Sequence, residues 1–395
     1  MSWTTVKLSD LASVQSGGGA PQEADAFSND GVPFVRAGSL IKLLSGEPES
    51  SLELLQPDVA AKHRLKQFPS GTILFAKSGM SATKGHIYEL KKPAYVVNHL
   101  AALVPHNKAD SAFLKHVLNF KSPATLIKDE AYPSIRLGDI ENMEVPAPRG
   151  LAERERVAGI LDQADTLRRT RQLAKKRLTA LSLAIFYEMF GSFQEDYESW
   201  PVRAIGDYIA EAKVGLVRGA KEMRADAPIP YLRMDSIGTD GNLRTSGLKM
   251  VNASQREIQN FSLYPGDLLF NTRNSRELVG KTAVVREPFD GVYNNNILRC
   301  RFKDGLTSDF IDRFLRTHKG QEILNSIKSG TTSVFAIYQK SFMNIQVPVP
   351  PTDLQKIFSD RNTAVYTQKK HYVHMTKKTD QLFASLQQRA FRGEL

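Results

Sequence analysis

The sequence predicts an α+β protein in which two similar mixed α/β domains alternate with two long helices that form an antiparallel coiled coil. Three observations predict this fold. The two halves of the chain repeat one another, each repeat ends in a Val-Pro-x-Pro step, and each step precedes a long charged stretch with helical periodicity. We place the first domain at 1–150, its helical spacer at 151–192, the second domain at 193–350 and its spacer at 351–395.

The repeat is carried by five pairs of matching segments at nearly constant displacement. The pairs are 3–10 with 200–207, 32–36 with 229–233, 69–75 with 264–270, 111–114 with 308–311, and 145–148 with 347–350. The displacement is 197 for the first, second and fourth pairs, 195 for the third and 202 for the last. Such a small drift indicates short insertions in loops, where they are tolerated, and predicts internal pseudo-twofold symmetry.

Each spacer carries apolar residues at alternating steps of three and four, the heptad pattern of a coiled coil. The predicted seam of the first helix is Val157, Ile160, Ala164, Leu167, Arg171, Ala174, Leu178, Leu181 and Ile185. The weaker seam of the second helix is Phe358, Val365, Tyr372, Met375, Leu382 and Leu386. Because an apolar seam is not stable alone in water, we expect the two helices to pack antiparallel against each other or against a partner's helices.

Composition favours a polyanion partner and a reducing compartment. The formal charge is +11 and the pI is near 9.5, a loose but real indication of nucleic-acid binding. The single cysteine, Cys300, excludes an internal disulfide framework and a cysteine-based zinc site. With no leader-like N-terminus and no long apolar run, we expect a cytoplasmic protein that has no membrane partner.

Several short motifs of the sequence resemble those of the specificity subunit of type I restriction-modification systems. They are Pro-Gly-Asp-Leu-Leu-Phe at 265–270, Val-Gly-Lys-Thr at 279–282, Ala-Phe-Arg-Gly-Glu-Leu at 390–395 and the two Val-Pro-x-Pro steps. The resemblance spans nearly the whole chain, and its specificity lies in the combination. The chain departs from the family at the helix starts, where Arg154-Glu155-Arg156 and Leu354-Gln355-Lys356 replace the usual Glu-Gln pair.

The resemblance implies that each domain is a target recognition domain reading one half of a bipartite, asymmetric double-stranded DNA site. It implies that the helices set the spacing and dock two modification (methyltransferase) subunits, with restriction (endonuclease/translocase) subunits as further partners. It also implies that this chain is not an enzyme and holds no cofactor. S-adenosylmethionine, ATP and magnesium would belong to the partner subunits only.

The residues themselves carry no convincing catalytic, metal or nucleotide motif. Gly280-Lys281-Thr282 ends like a phosphate-binding loop, but Ser275 stands where that loop needs a glycine. His371 and His374 have no accompanying ligand cluster, so we predict no metal site. The one Pro-Pro pair lacks the Asn or Asp and the aromatic residue of an adenine methyltransferase. Two alternative hypotheses to a DNA specificity subunit are a stand-alone nuclease or methyltransferase and a coiled-coil scaffold that does not bind DNA.

Three polar segments recur in both halves and are the predicted DNA contacts, because Arg, Lys, Asn, Ser and Thr suit bases and phosphates. The candidates in the first half are Lys77, Ser78, Thr83, Lys84, His86, Asn98, Tyr132 and Arg136. Those in the second half are Thr272, Arg273, Asn274, Arg276, Lys281, Asn295, Thr331, Tyr338 and Lys340. The asparagines fit an adenine contact or a turn equally well. Arg36 and Arg233 fit a DNA contact or a structural cation equally well, and the helix cations favour a solvated face.

Overall fold

Two 40-residue helices, α5 (Leu151–Phe190) and α10 (Thr352–Phe391), follow the two globular domains in the computed structural model. The structure describes residues 3–191, 200–330 and 333–395. The chain divides into unit 1, Met1–Gln172 with His374–Leu395, and unit 2, Leu173–Val373. Each unit therefore combines one globular domain with a segment of each long helix.

Within residues 3–148, the structure gives the first domain eleven strands and four short α-helices. Its strands are β1 (Trp3–Lys7), β2 (Ala12–Ser16), β3 (Phe27–Ser28), β4 (Val32–Val35), β5 (Leu54–Leu55), β6 (Gln67–Phe68), β7 (Ile73–Ala76), β8 (Ile87–Glu89), β9 (Ala94–Val96), β10 (Leu100–Pro105) and β11 (Glu144–Pro148). Its helices are α1 (Ser39–Leu44), α2 (Pro57–Lys62), α3 (Asp110–Phe120) and α4 (Leu137–Glu141).

Three sheets order these strands. An antiparallel sheet runs β2-β10-β7-β8, a mixed sheet runs β3-β5-β4-β9-β6 with β4 and β9 parallel, and β1 pairs with β11. Strands β7 and β10 are almost wholly buried, as their continuous apolar runs predict. One face packs on α3 and on both long-helix segments of unit 1, and the other face packs on the mixed sheet.

In the described part of the second domain, 200–330 and 333–350, there are twelve strands and four short α-helices. Its strands are β12 (Val202–Ala204), β13 (Ile209–Val214), β14 (Ile229–Leu232), β15 (Lys249–Val251), β16 (Leu268–Asn271), β17 (Arg273–Asn274), β18 (Thr282–Val284), β19 (Val292–Tyr293), β20 (Ile297–Phe302), β21 (Ser329–Gly330), β22 (Phe335–Ala336) and β23 (Gln346–Pro348). Its helices are α6 (Gln255–Asn260), α7 (Ser308–Phe314), α8 (His318–Ile327) and α9 (Gln339–Met343). Thr307 and Thr317 cap α7 and α8 with their hydroxyl groups.

The second domain repeats the topology of the first. Its antiparallel sheet runs β13-β20-β16-β18, its mixed sheet runs β15-β14-β19 with β14 and β19 parallel, and β12 pairs with β23. Among the described residues it also has a small sheet, β17-β22-β21. At the equivalent positions the first domain has an isolated antiparallel bridge between Ser78 and Ser134. The predicted fold class, two similar mixed α/β domains with two long helices and an internal repeat, is confirmed.

The long-helix segments of unit 1 pack antiparallel. As the residue number increases along α5, the number of the residue that it contacts in or just beyond α10 decreases. The Arg156 guanidinium donates to the Leu395 carbonyl at 2.8 Å, Arg168 lies 4.7 Å from the centroid of the Phe383 ring, and Arg171 donates to the Met375 carbonyl at 3.3 Å.

The segments of unit 2 pack in the same sense. Ser182 on α5 donates a hydrogen bond to the buried Asn362 side chain on α10, and Phe186 packs edge-to-face on Phe358 at 5.3 Å. Asn362 in turn donates to Asp309 at the start of α7. Polar groups at such seam positions specify helix register, because a shifted register would leave them buried without partners.

The predicted seams are wrong by one residue at several positions. Leu167 and Leu181 are 46% and 42% exposed, and the neighbouring Arg168 and Ser182 face α10 instead. On α10, Leu382 is exposed and Phe383 faces α5. The physical reason is that the real seam contains polar residues with partners, which an apolar pattern does not register.

The C-terminal end of each long helix is anchored by one phenylalanine. In unit 1, Phe391 of α10 packs edge-to-face on Trp3 at 6.3 Å and on Phe113 at 5.9 Å. In unit 2, Phe190 of α5 packs in the same way on Trp200 at 6.0 Å and on Phe310 at 5.1 Å. The two tryptophans, like Phe113 and Phe310, are 197 positions apart (200 − 3 and 310 − 113), so these contacts repeat.

The helix starts that depart from the resembled family are well bonded. Arg154 binds the Asp110 carboxylate with two nitrogens, at 2.6 and 3.1 Å. The buried Gln355 side chain accepts from the Thr307 backbone nitrogen at 2.9 Å and donates to the carbonyls of Gly305 and Pro350. Each long helix is therefore fastened to the N-terminal end of α3 or α7 despite the changed sequence.

Candidate nucleic-acid interface

The three predicted contact segments of the first domain converge at the end of β7. The Lys77 nitrogen donates to the His99 carbonyl at 2.9 Å, and the Lys77 carbonyl accepts from the Ile135 nitrogen at 2.7 Å. The Gly79 nitrogen donates to the Pro133 carbonyl at 2.9 Å. These contacts bring together the loop after β7, the turn before β10 and the loop before α4, which we name the first junction.

The side chains of the first junction divide into bonded and free groups. Ser78 hydrogen-bonds to the His99 Nδ1 at 2.7 Å, and Thr83 donates to the Met80 carbonyl at 2.9 Å. Tyr132 is 83% exposed and Met80 is 65% exposed on adjacent loops. Large apolar side chains exposed beside cations are typical of interaction surfaces rather than of inert solvent-facing loops.

The other cations predicted in the first half surround this junction. Lys84 and Arg136 are exposed, whereas Lys77 and His86 are half-buried. Asn98 has an exposed side chain, and its backbone is held because its nitrogen donates to the Gly18 carbonyl at 2.8 Å.

The second domain has a matching junction at the end of β16. The Thr272 nitrogen donates to the Asn296 carbonyl at 2.8 Å, and the Thr272 carbonyl accepts from the Ile337 nitrogen at 2.9 Å. Arg273 pairs with Ala336, and Asn274 with Phe335, in the small sheet. The same three loops therefore meet in both domains, and we name this set the second junction.

Buried Asn271, which the sequence reasoning missed, holds the second junction together. Its Nδ2 donates to the carbonyls of Asn296 and Arg273 at 3.1 and 3.3 Å, and its Oδ1 accepts from Asn274 at 3.1 Å. The Asn274 side chain also accepts from the Ser275 nitrogen at 2.9 Å, so both ends of its amide are bonded within the fold. The signal that was available is that Asn271 ends β16 directly after the apolar run Leu268-Leu269-Phe270.

The surface of the second junction is strongly cationic. Arg273, Arg276, Tyr338 and Lys340 are exposed, as is Asn295 on the neighbouring turn. The Arg276 guanidinium lies 5.6 Å from the centroid of the Phe335 ring. Lys328, also missed from the sequence, donates to the Arg276 carbonyl at 2.7 Å, and burial together with Arg276 lowers the pKa of its ammonium. The predicted contact Thr331 lies outside the described residues.

The Gly280-Lys281-Thr282 run has a structural use. The Lys281 ammonium donates to the carbonyls of Met234 and Ile237 at 3.1 and 2.5 Å, and burial, with help from nearby arginines, lowers its pKa. The buried Thr282 hydroxyl donates to Asp312 at 2.6 Å. These side chains therefore point into the fold, where they would not cradle a phosphate.

Comparison with known families assigns the chain. The family model described as the type I restriction modification DNA specificity domain matches residues 1–180 and 197–371, once on each repeat. Together the two matches cover most of the 395 residues. The chain belongs to the type I restriction-modification specificity family.

Curated relatives carry the same family name. The chain is 29% identical over 155 residues to the type I restriction enzyme MjaIX specificity subunit of Methanocaldococcus jannaschii, covering 37% of this chain and 34% of that protein. It is 22% identical over 403 residues to the type I restriction enzyme EcoKI specificity subunit of Escherichia coli K12, covering 95% and 84%. The alignments therefore span about a third of the first relative and most of the second.

Solved structures of the family share the fold. The S subunit of a type I restriction-modification system from M. genitalium matches 99% of this chain with a TM-score of 0.63 and 14% identity, over 96% of its own length. A chain from a study of complex assembly and conformational transition of the type I R-M system matches 100% with a TM-score of 0.51 and 18% identity, over 98% of its own length. At these identities the likeness concerns the fold alone.

Other groups of this specificity-family chain lie away from the junctions. Arg36 binds Glu53 at 2.5 Å and lies 5.1 Å from the centroid of the Phe27 ring, which is a bracing position in the first domain. Arg233 lies 3.6 Å from Asp235.

Among residues 3–191, 200–330 and 333–395, no cluster of three or more His, Cys, Asp or Glu side chains could hold a metal ion. Within those same ranges, no helix combines the length and the apolar character needed to span a bilayer.

Proposed function

We propose that this chain is the DNA-recognising subunit of a type I restriction-modification complex. Each domain reads one half of a bipartite, asymmetric double-stranded site through its junction. The observation that carries the proposal is that the same three loops meet at the same strand end in both domains while their exposed side chains differ. A shared scaffold with different side chains suits the reading of two different half-sites.

The charge of the junctions supports binding to DNA. Exposed Lys84 and Arg136 in the first domain, and Arg273, Arg276 and Lys340 in the second, supply cations for phosphate contacts. Backbone contacts of this kind dominate affinity, whereas base contacts give specificity. Twofold internal repetition on a duplex implies two half-sites separated by about one helical turn, ~34 Å.

Exposed apolar residues on the long helices support docking of two modification subunits. Unit 1 exposes Leu167 and Leu382, and unit 2 exposes Leu181 and Ile357. The outer face of a soluble coiled coil is ordinarily charged, so leucines there indicate a partner surface. Restriction subunits complete the proposed assembly. The chain itself needs no cofactor for this role, and S-adenosylmethionine, ATP and magnesium serve the partner subunits.

Methylation mapping tests the proposal. We would co-express the chain with its candidate modification subunit and map N6-methyladenine across the host genome by long-read sequencing. The expected result is one split motif that disappears when this chain is deleted. A junction variant, Lys84→Ala with Arg136→Ala, should weaken methylation of that motif, whereas the control Lys62→Ala on α2, also an exposed cation, should not.

Two outcomes would contradict the proposal. Failure of the purified complex to bind any duplex would favour a protein scaffold. Methylation or cleavage by the chain without partners would favour a stand-alone enzyme.

A further inference from the structure

Among the matched positions at which the two junctions differ, one carries Ser78 in the first domain and Arg273 in the second. The displacement is 195 (273 − 78), the same as that between the strand-start glycines Gly71 and Gly266 (266 − 71). Ser78 is short and its hydroxyl is already bonded to His99. The Arg273 side chain is long and exposed, and its guanidinium has no ion pair or hydrogen bond to any described residue.

The backbone beneath Arg273 is held on several sides. Strand β17 pairs with β22 through Arg273 and Ala336, and the Arg273 carbonyl accepts from buried Asn271 at 3.3 Å. The preceding Thr272 is bonded to the loops of Asn296 and Ile337. An arginine presented from a fixed backbone loses less conformational entropy on binding than one on a free loop.

Several arginines elsewhere in unit 2 are neutralised by acidic partners. Arg286 binds Asp309, Arg301 binds Asp267 and Arg316 binds Asp312. Arg273 has no such ion pair with a described acidic residue. The domain therefore keeps the Arg273 guanidinium available at the centre of its junction, and Arg276, Lys328 and Lys340 lie in the same group of loops to attract phosphate.

A free guanidinium on a fixed strand suits one base above the others. Its planar pair of N–H groups matches the O6 and N7 acceptors of guanine, which face the major groove, and a β-ribbon fits that groove. We infer that Arg273 reads a guanine in the half-site bound by the second domain, while Ser78 leaves the first half-site without the matching arginine contact. The inference rests on the proposed function and adds the identity of one base.

A selection experiment tests this assignment. The full chain, co-purified with its candidate modification subunit, would be presented with a randomised duplex library, and the bound sequences read. The wild type should select a two-part motif. Arg273→Ser, which copies the first domain, should keep the first half of the motif and lose preference at one guanine of the second half. Affinity for the wild-type motif should fall about ten- to hundredfold.

Two further reagents separate base reading from charge. Arg273→Lys keeps the positive charge and should still lose preference at that guanine. A duplex with 7-deazaguanine there removes the N7 acceptor and should weaken the wild type but not Arg273→Ser. The control Arg256→Ser removes an exposed arginine on α6 and should leave the motif unchanged.

Each contrary result has its own meaning. Uniformly weaker binding of Arg273→Ser with an unchanged motif would make Arg273 a phosphate contact and overturn the inference, leaving the proposed function intact. Loss of both halves of the motif would make Arg273 structural and also overturn it. A wild type that selects no motif would remove the proposed function itself, and this inference with it.

Discussion

At the scale of single residues, Asp162 on α5 links a long helix to the first domain. Its carboxylate accepts from Lys115 at 2.6 Å and from the buried His116 at 2.8 Å. Burial opposes ionisation, but the hydrogen bonds from His116 and Lys115 outweigh it, so the pKa of Asp162 lies well below its usual range. Glu89, 3.6 Å from Lys115, shares the same cation.

This contact predicts an acid-sensitive fold in unit 1. A carboxylate with a lowered folded-state pKa adds stability above its unfolded pKa, roughly 4, and that stability is lost as the pH falls below this value. Because the side chain is 41% exposed, solvent screening limits the effect on the free energy of unfolding to roughly 1 kcal/mol. Asp162→Asn should therefore lower the free energy of unfolding at pH 7. The difference in this free energy between the variant and the wild type should be smaller at pH 3.

Tryptophan fluorescence measures this effect in one unit. The chain has two tryptophans, so Trp200→Phe leaves Trp3 as the reporter in unit 1. Urea midpoints at pH 7 and pH 3 would be compared with those of Glu130→Gln, which removes an exposed carboxylate of the same domain. If the difference in urea midpoint between Asp162→Asn and the wild type were the same at both pH values, the carboxylate charge would not be the source of the stabilisation.

Residue identity was enough to find the loops of the candidate site but not their bonding. The repeat displacement marked the segments around Lys77, Asn98, Thr272 and Asn295 as equivalent. It did not indicate that Asn274 is bonded at both ends of its amide, nor that Asn271 holds the junction. Those roles depend on which loops meet across β10 and β20, and pairing between distant strands leaves no local pattern in the sequence.

At the scale of elements, the sequence predicted the repeated apolar strands near 73 and 268 and both long helices, but it misplaced the helix seam. Continuous apolar runs identify β7 and β16 because both faces of those strands are buried. A seam that contains Arg168, Ser182 and Asn362 is hidden, since each polar group is acceptable only with its partner in place. The small sheet of the second domain was also missed, because its strands are only two residues long.

The exposed leucines that were wrongly assigned to the seam, Leu167 and Leu181, lead to a prediction about the docking of partner subunits on the long helices. If two modification subunits dock as proposed, Leu167→Glu in unit 1 should remove one of them, and Leu167→Glu with Leu181→Glu should remove both, because a charge in an apolar interface is costly to desolvate. The midpoint of thermal unfolding should change little, since both side chains are exposed.

Native mass spectrometry of the co-expressed complex counts the subunits directly. Gln163→Glu adds the same charge at an exposed position of the same helix and serves as the control. A double variant that still carries two modification subunits would show that these leucines are not the docking surface.

At the scale of the whole molecule, the repeat predicts what half of the chain does alone. In unit 1, Phe391 of α10 covers Trp3 and Phe113, and it stacks on Phe120 at 4.9 Å. A half chain of residues 1–192 lacks Phe391 but ends its own helix in Phe190. The repeated contacts of Phe190 with Trp200 and Phe310 give it the same packing role in unit 2.

We therefore expect the half chain to dimerise, with Phe190 of each copy taking the place of Phe391 in the other. Light scattering after size exclusion should give twice the half-chain mass, and the dimer should select a palindrome built from the first half-site, because both of its junctions are identical. Phe190→Ala should weaken the dimer by about a hundredfold or more, since a buried aromatic contributes about 3 kcal/mol or more. Glu188→Ala, an exposed change nearby, should not. A half chain that stays monomeric at high concentration would mean that residues 374–395 supply contacts that the repeat of Phe190 does not reproduce.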